Sequence, residues 1–181
     1  LHDSYTNYFE KIWDNNIDRS SFWSDVRSGG LYNHQNTNLN YQDEVFSAYF
    51  FPIPSNASQS SWDILNNPVA KIINNMKDRV HEKEININMY HLKSDEFGLR
   101  LYNELKRIDN ITVKSAIHRD SHNLSQTLFN DLGDLTWNAP THAKNYSIKE
   151  RLPDGNVYYT ISGSTNGKWD AYYSKGNNQL L

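Results

Sequence analysis

Seven histidines and no cysteine set the reactive inventory of this 181-residue chain. Thiolate nucleophiles, disulfides and zinc–sulfur sites are therefore excluded together. His142 is the histidine with the most informative surroundings. Thr141-His142-Ala143-Lys144 puts an imidazole and an ammonium two residues apart, which on a strand means one face, so both can address one anionic group. A phosphate suits such a pair: the ammonium neutralises phosphoryl oxygens, and the imidazole attacks phosphorus or protonates a leaving oxygen. Further along, Ser162-Gly163-Ser164-Thr165-Asn166 offers a glycine that lets backbone approach the anion, with Ser164 and Asn166 as donors to the same oxygens. His-x-Lys alone is a weak signal, since His81-Glu82-Lys83 repeats it. The ordered pairing with Gly-Ser-x-Asn carries the specificity.

The other histidines read differently. His118, Asp120 and His122 form a His-x-Asp-x-His cluster after a predicted strand and could offer nitrogen and oxygen to a metal ion. The spacing suggests no further ligand, and a polar strand-to-helix turn accounts for the same residues, so no metal and no other cofactor is expected. His2, His34 and His81 read as solvated side chains.

The elements that must carry His142 and Asn166 follow from periodicity. Tyr5, Tyr8, Phe9, Ile12 and Trp13 recur at helical spacing over residues 3–15. Residues 16–44, rich in Asn, Ser, Asp and Gly, read as a long connection between two units. From residue 45 the pattern alternates strands with helices. A strand over 44–51 stops at Pro52, and Ser60 or Ser61 caps a helix expected to run to about Lys83, with Val80 inward. Strands are expected at 84–92 and 111–117, with a helix capped by Ser94 between them and inward Phe97, Leu101, Leu105 and Ile108. A short helix over 123–132, a strand near 135–137 and a hairpin of 144–151 with 157–162 complete the pattern. Such crossovers imply a parallel or mixed sheet with helices packed on it, and a site at the strand ends.

Composition bounds the rest. With 37% hydrophobic and 13% aromatic residues the chain can bury a core, and no apolar run is long enough to span a membrane. A net charge of −3 lacks the bulk basic footprint of a protein that holds duplex DNA by electrostatics.

His142-Ala143-Lys144 followed by Gly163-Ser164-Thr165-Asn166 resembles the signature of the phospholipase D superfamily. The resemblance extends to Asn67-Pro68-Val69, Ile85-Asn86-Ile87-Asn88-Met89-Tyr90, Thr112-Val113-Lys114 and Leu135-Thr136-Trp137-Asn138. It implies an α/β fold with a central mixed sheet flanked by helices, and metal-independent cleavage of a phosphodiester through a covalent phosphohistidine. It further implies His142, Lys144 and Asn166 as catalytic, with Lys144, Gly163, Ser164 and Asn166 on the phosphate. Residues 1–16 are similar to the closing helix of a first catalytic half, which leaves 17–44 as a linker and 45–181 as a second half. A partner histidine is then expected from a preceding half or from a homodimer partner. The chain departs from the family at Lys149, where an aspartate is usual, and at Asn177, Asn178 and Gln179, where a glutamate is usual. A phospholipid is the substrate expected first. A nuclease using the same chemistry, or a degenerate half that binds phosphate without turnover, is the alternative. Hydrolysis and group transfer are both open to this chemistry, and nothing in the sequence fixes the compartment, whether exported or peripheral to a membrane.

Overall fold

The structure, a computed structural model, describes residues 41–42, 47–50, 62, 67–77, 79–118, 123–173 and 178–180. Its strands are β1 (Tyr41–Gln42), β2 (Ser47–Phe50), β3 (Lys83–Met89), β4 (Ile111–Ile117), β5 (Gly133–Trp137), β6 (Lys144–Leu152), β7 (Gly155–Gly163) and β8 (Asn178–Leu180). Its helices are α1 (Pro68–Met76), α2 (Glu96–Leu105), α3 (Asn123–Leu132) and α4 (Trp169–Tyr173). The expected helix over 3–15, the Ser60 or Ser61 cap and most of the expected linker lie outside the described residues.

The strands join one eight-stranded sheet in the order β1-β2-β8-β7-β6-β3-β4-β5. β3, β4 and β5 are parallel, joined by α2 and α3 as crossovers, and β6 returns antiparallel to β3 before the β6–β7 hairpin. The fold is thus α/β with a mixed sheet, as the alternation of strand and helix patterns implied. Pro153-Asp154 turns the hairpin, and Gly155 has φ of 137°, a conformation that side-chain-bearing residues rarely adopt.

Period-2 alternation decides which sheet face is covered. Ile85, Ile87 and Met89 of β3, Val113 and Ile117 of β4, and Tyr146 and Ile148 of β6 are buried in a single core with Val69, Ile72, Ile73 and Met76 of α1 and Phe97, Leu101 and Leu105 of α2. Burying each such side chain contributes about 1.5–3 kcal/mol, which is what holds the helices to this face. Polar residues alternate with them: Asn86, Asn88, Lys114, Thr136, Ser147 and Thr160 line a cavity of about 460 Å³ on the opposite face.

Helix boundaries depend on polar groups. Asn67 Oδ1 accepts from Val69 N (2.9 Å) and Ala70 N (3.3 Å), with Pro68 at the first helical position, so α1 starts there. It stops at Met76, short of the expected Lys83, and Val80 is 76% exposed instead of inward. The cause is Lys83, which opens β3 with its ammonium buried and donating to the carbonyls of Arg79, His81 and Asp109. A helix continuing to Lys83 would tie up the Arg79 carbonyl in its own ladder. His81 therefore lies in the turn before β3. At the α2 start, Asp95 takes the capping role expected of Ser94: Oδ1 accepts from Gly98 N (3.3 Å) and Oδ2 from Trp169 N (2.8 Å). One carboxyl thereby opens both α2 and α4.

The amino-terminal end of the parallel strands is fastened by buried charge. Buried Glu150 pairs with Arg79 (2.6 Å), and buried Glu104 accepts Lys77, Arg100 (2.7 Å) and Arg107 (3.6 Å). His142 lies at the carboxyl end of the same strands, where the Lys168–Asp170 pair (3.1 Å) also sits.

Candidate active site

A chain of short backbone bonds delivers His142 to the sheet edge. β5 ends at Trp137, and Asn138 turns the chain with φ of 59°, a left-handed value that asparagine tolerates. Ala139 N then donates to Ile117 O (3.1 Å) at the end of β4, and Thr141 N to Ala139 O (2.7 Å). Thr141 Oγ1 accepts from Ala143 N (3.1 Å), and Tyr90 N donates to Ala143 O (2.9 Å), extending the β3–β6 ladder one step beyond its Met89–Lys144 pair. His142 thus stands just before β6 and is exposed, while Lys144 is the first residue of the strand and half-buried.

Lys144 Nζ donates to His142 O (2.8 Å), lies 3.3 Å from His142 Nδ1, and sits over the Tyr90 ring at 5.2 Å from its centroid. Among the described residues no carboxylate pairs with this ammonium. Burial without a counter-charge holds its pKa below the ordinary lysine value. An ammonium held by neutral groups beside an exposed imidazole is a place for an anion. While Lys144 donates into Nδ1, Nε2 of a neutral His142 carries the ring hydrogen.

The Gly-Ser-x-Asn segment reaches the same end by a crossover. Ser162 pairs with Asn145, and Gly163 with Gln179 of β8. The chain then passes across the start of β6 and bridges Leu92 in parallel through Gly167. Gly167 N donates to His91 O (2.8 Å) and Lys93 N to Gly167 O (3.0 Å). A Cβ on Gly167 would fall 2.5 Å from Leu92 Cδ1, so a larger residue there would force the buried Leu92 side chain or the bridge to shift. Ser164 is exposed and Thr165 buried. Asn166 Oδ1 is shut from solvent with no hydrogen-bond partner among the described residues. The segment is held at both ends, by the β7 ladder and by the Leu92 bridge, with Ser164 and Asn166 between.

His91 was not singled out in the sequence and Tyr90 stood there only as the end of a resembling run, yet Tyr90 is the hub of this end. Its ring centroid lies 4.5 Å from that of His142, 4.7 Å from His118 and 4.2 Å from His91. The signal that could have found them is positional: Tyr90-His91 directly follows an alternating strand, at the carboxyl end where sites of open α/β sheets sit. Of the His118, Asp120, His122 cluster only His118 is among the described residues, within which no group of three His, Cys, Asp or Glu is arranged to hold a metal.

The two departures from the phospholipase D pattern have distinct consequences. Lys149 is five residues along β6 from Lys144, hence on the opposite face, with its ammonium over the Tyr158 ring at 5.7 Å. A different residue there takes nothing directly from the Lys144 side. Gln179 is buried beside Gly163, and its Nε2 donates to Tyr172 Oη (3.2 Å). Its amide is turned to Tyr172.

No family model matches the chain, and no curated protein matches it. Solved structures similar to it include a phospholipase D family member, Nuc from Salmonella typhimurium, at 14% identity and a TM-score of 0.43, covering 75% of this chain and 80% of that one. NucT from Helicobacter pylori is similar at 17% identity and a TM-score of 0.40, covering 75% and 84%. Polyphosphate kinase from Porphyromonas gingivalis is similar at 14% identity and a TM-score of 0.47, covering 74% of this chain but 22% of that one.

Proposed function

We propose that the chain carries a phosphodiesterase site in which His142 attacks phosphorus to give a covalent phosphohistidine. Lys144, Gly163, Ser164 and Asn166 hold the phosphoryl oxygens. The observation that carries this reading is the Lys144 ammonium, half-buried, paired with no carboxylate among the described residues and in contact with an exposed imidazole. Ammonium and neutral donors stabilise a phosphorane without a metal ion, so activity is expected to survive a chelator. One imidazole cannot attack phosphorus and protonate the leaving oxygen at the same moment, so the cycle needs a second proton carrier. In the superfamily that the sequence resembles, a second motif supplies it, from another half of the chain or from a second copy.

A phospholipid or similarly small diester is the preferred substrate over nucleic acid. Net charge of −3 gives no broad basic surface to track a polynucleotide backbone, and Lys168 near the site is paired with Asp170 (3.1 Å). The test is turnover of phosphatidylcholine, of plasmid DNA and of bis(p-nitrophenyl) phosphate in excess chelator. Turnover of the lipid supports the whole reading, and turnover of DNA in its place moves the substrate class and keeps the chemistry. Phosphate binding without turnover of any of the three identifies a non-catalytic phosphate-binding half, the reading that Gln179 in place of the usual glutamate favours. Turnover that depends on zinc or calcium removes the assignment.

A further inference from the structure

The Gly163–Asn166 run passes through Gly167 and Lys168 into α4, a helix of only five residues. A helix that short does not hold itself in water, so what it touches sets its place. Lys168, the residue before it, is not a capping type, and its ammonium is turned to Asp170 (3.1 Å). The acceptor for the first amide of α4 stands 74 residues away: Trp169 N donates to Asp95 Oδ2 (2.8 Å), while Gly98 N of α2 donates to Asp95 Oδ1 (3.3 Å). The same two stretches are joined by Gly167 N on His91 O (2.8 Å) and Lys93 N on Gly167 O (3.0 Å). Lys168 N donates to Asn166 O (2.9 Å), which ties the Asn166 backbone into this clamp. Further along both helices Phe97 stacks on Tyr172, with ring centroids 4.4 Å apart. Asp95 is half-buried, and among the described residues no lysine or arginine pairs with it. Burial pushes its carboxyl above the ordinary carboxylate value of 3.8, against the pull of the Trp169, Gly98 and Phe97 amides and with a push from Asp170. The titratable and charged groups around it are Asp170 and Tyr172 of α4, Lys168 on Asp170, and Glu96 beside it on α2.

Resting on the phosphodiester reading, we propose that Asp95 is a positioning residue of the phosphate site. One carboxylate oxygen starts α2, and the other holds the first amide of α4. The carboxylate thereby fixes where the segment before α4 presents Ser164 and Asn166. It touches neither substrate nor reacting atoms and acts only through the backbone from Trp169 to Asn166. Such a link has a function beyond capping, because α2 alone needs one acceptor oxygen and Asp95 supplies two.

The test uses the whole chain and separates the two roles. In Asp95→Ser the hydroxyl still caps α2 but offers no second oxygen to Trp169, whereas Asp95→Ala removes both attachments. The serine variant is expected to melt close to the unmodified protein, to bind inorganic phosphate about tenfold more weakly and to turn over bis(p-nitrophenyl) phosphate on the order of 10²-fold more slowly. The alanine variant is expected to lose as much function and to melt lower. Native phosphate affinity and turnover in Asp95→Ser overturn the proposal, and so does a loss confined to Asp95→Ala, which makes the start of α2 the cause. A second measurement needs no variant: the Trp169 backbone amide resonance of the unmodified protein, followed through a pH titration and then against inorganic phosphate, with the His142 imidazole as reference. The amide is expected to inflect above pH 3.8 and to shift with phosphate alongside His142. A His142 shift without one at Trp169 overturns the proposal and leaves the phosphate site standing, whereas no shift at either removes the phosphate site and the proposal together.

Discussion

Replacing Gly167 by alanine should disable the site through packing alone. The new Cβ would lie 2.5 Å from Leu92 Cδ1, 3.4 Å from His91 O and 3.5 Å from Met89 Cγ, and Leu92 and Met89 are fully buried. Leu92 cannot swing into solvent, so either its rotamer or the bridge must shift. Overpacking of this kind costs about 1–3 kcal/mol, which for a domain of this size lowers the melting temperature by about 2–4 °C per kcal/mol. The larger effect falls on turnover. Gly167 holds its two bonds to the His91–Lys93 backbone at 2.8 and 3.0 Å, and Asn166 is its neighbour, so moving the bridge moves the residue proposed to donate to phosphate. A displacement near 1 Å at a reacting centre costs on the order of 10²-fold in rate. The assay is thermal unfolding beside diester turnover for Gly167→Ala, Leu92→Ala and the double variant. Removing Cδ1 relieves the clash, so the double variant should be more stable than the sum of the single losses by about 0.5–3 kcal/mol. Additive losses, or a Gly167→Ala protein with native turnover, would show that the bridge does not position Asn166.

Further outcomes follow from the same geometry. His142→Ala and Lys144→Ala should each lower turnover by about 10²–10⁴-fold with little change in melting temperature, and the double variant little further, because both act on one phosphoryl group. His81→Ala should change neither turnover nor melting, since that side chain lies in the turn before β3. With a Lys144 pKa held below the ordinary 10.5, the ammonium is lost earlier as pH rises, so phosphate binding should weaken on an alkaline limb below that value. Lys144→Arg should move the limb upward in a pH titration of phosphate affinity, and a limb unchanged by arginine would assign it to another group. Lys83→Met should lower stability in denaturant by ~3 kcal/mol or more, because it orphans the carbonyls of Arg79, His81 and Asp109. An unchanged midpoint would mean that water satisfies them.

What the sequence disclosed and what it hid divide along physical lines. The alternation of Ile85, Ile87 and Met89 announced β3 because one sheet face is buried, and the hairpin around Pro153-Asp154 was legible because its turn residues are restricted. The mixed α/β sheet followed from both. The end of α1 was not legible, because it depends on carbonyls that Lys83 draws inward and on Glu150, which is distant in sequence and captures Arg79. The Asp95 cap was missed for a similar reason, since half of its role lies at Trp169. At the site, His142, Lys144 and the Gly-Ser-x-Asn run were visible as types and spacings. The part Tyr90 plays there was not, because an aromatic at a strand end announces no chemistry, and only the fold brings His118 and His142 to one ring.

The most direct test of the central claim is to trap the intermediate. The protein is mixed with a phosphodiester substrate, quenched within a turnover under alkaline conditions, digested, and its histidine peptides are examined by mass spectrometry. The account predicts a phosphoryl-bearing adduct on His142, absent from the Lys144→Ala protein under the same quench. Turnover with no adduct on any histidine, or an adduct on a histidine other than His142, would contradict it.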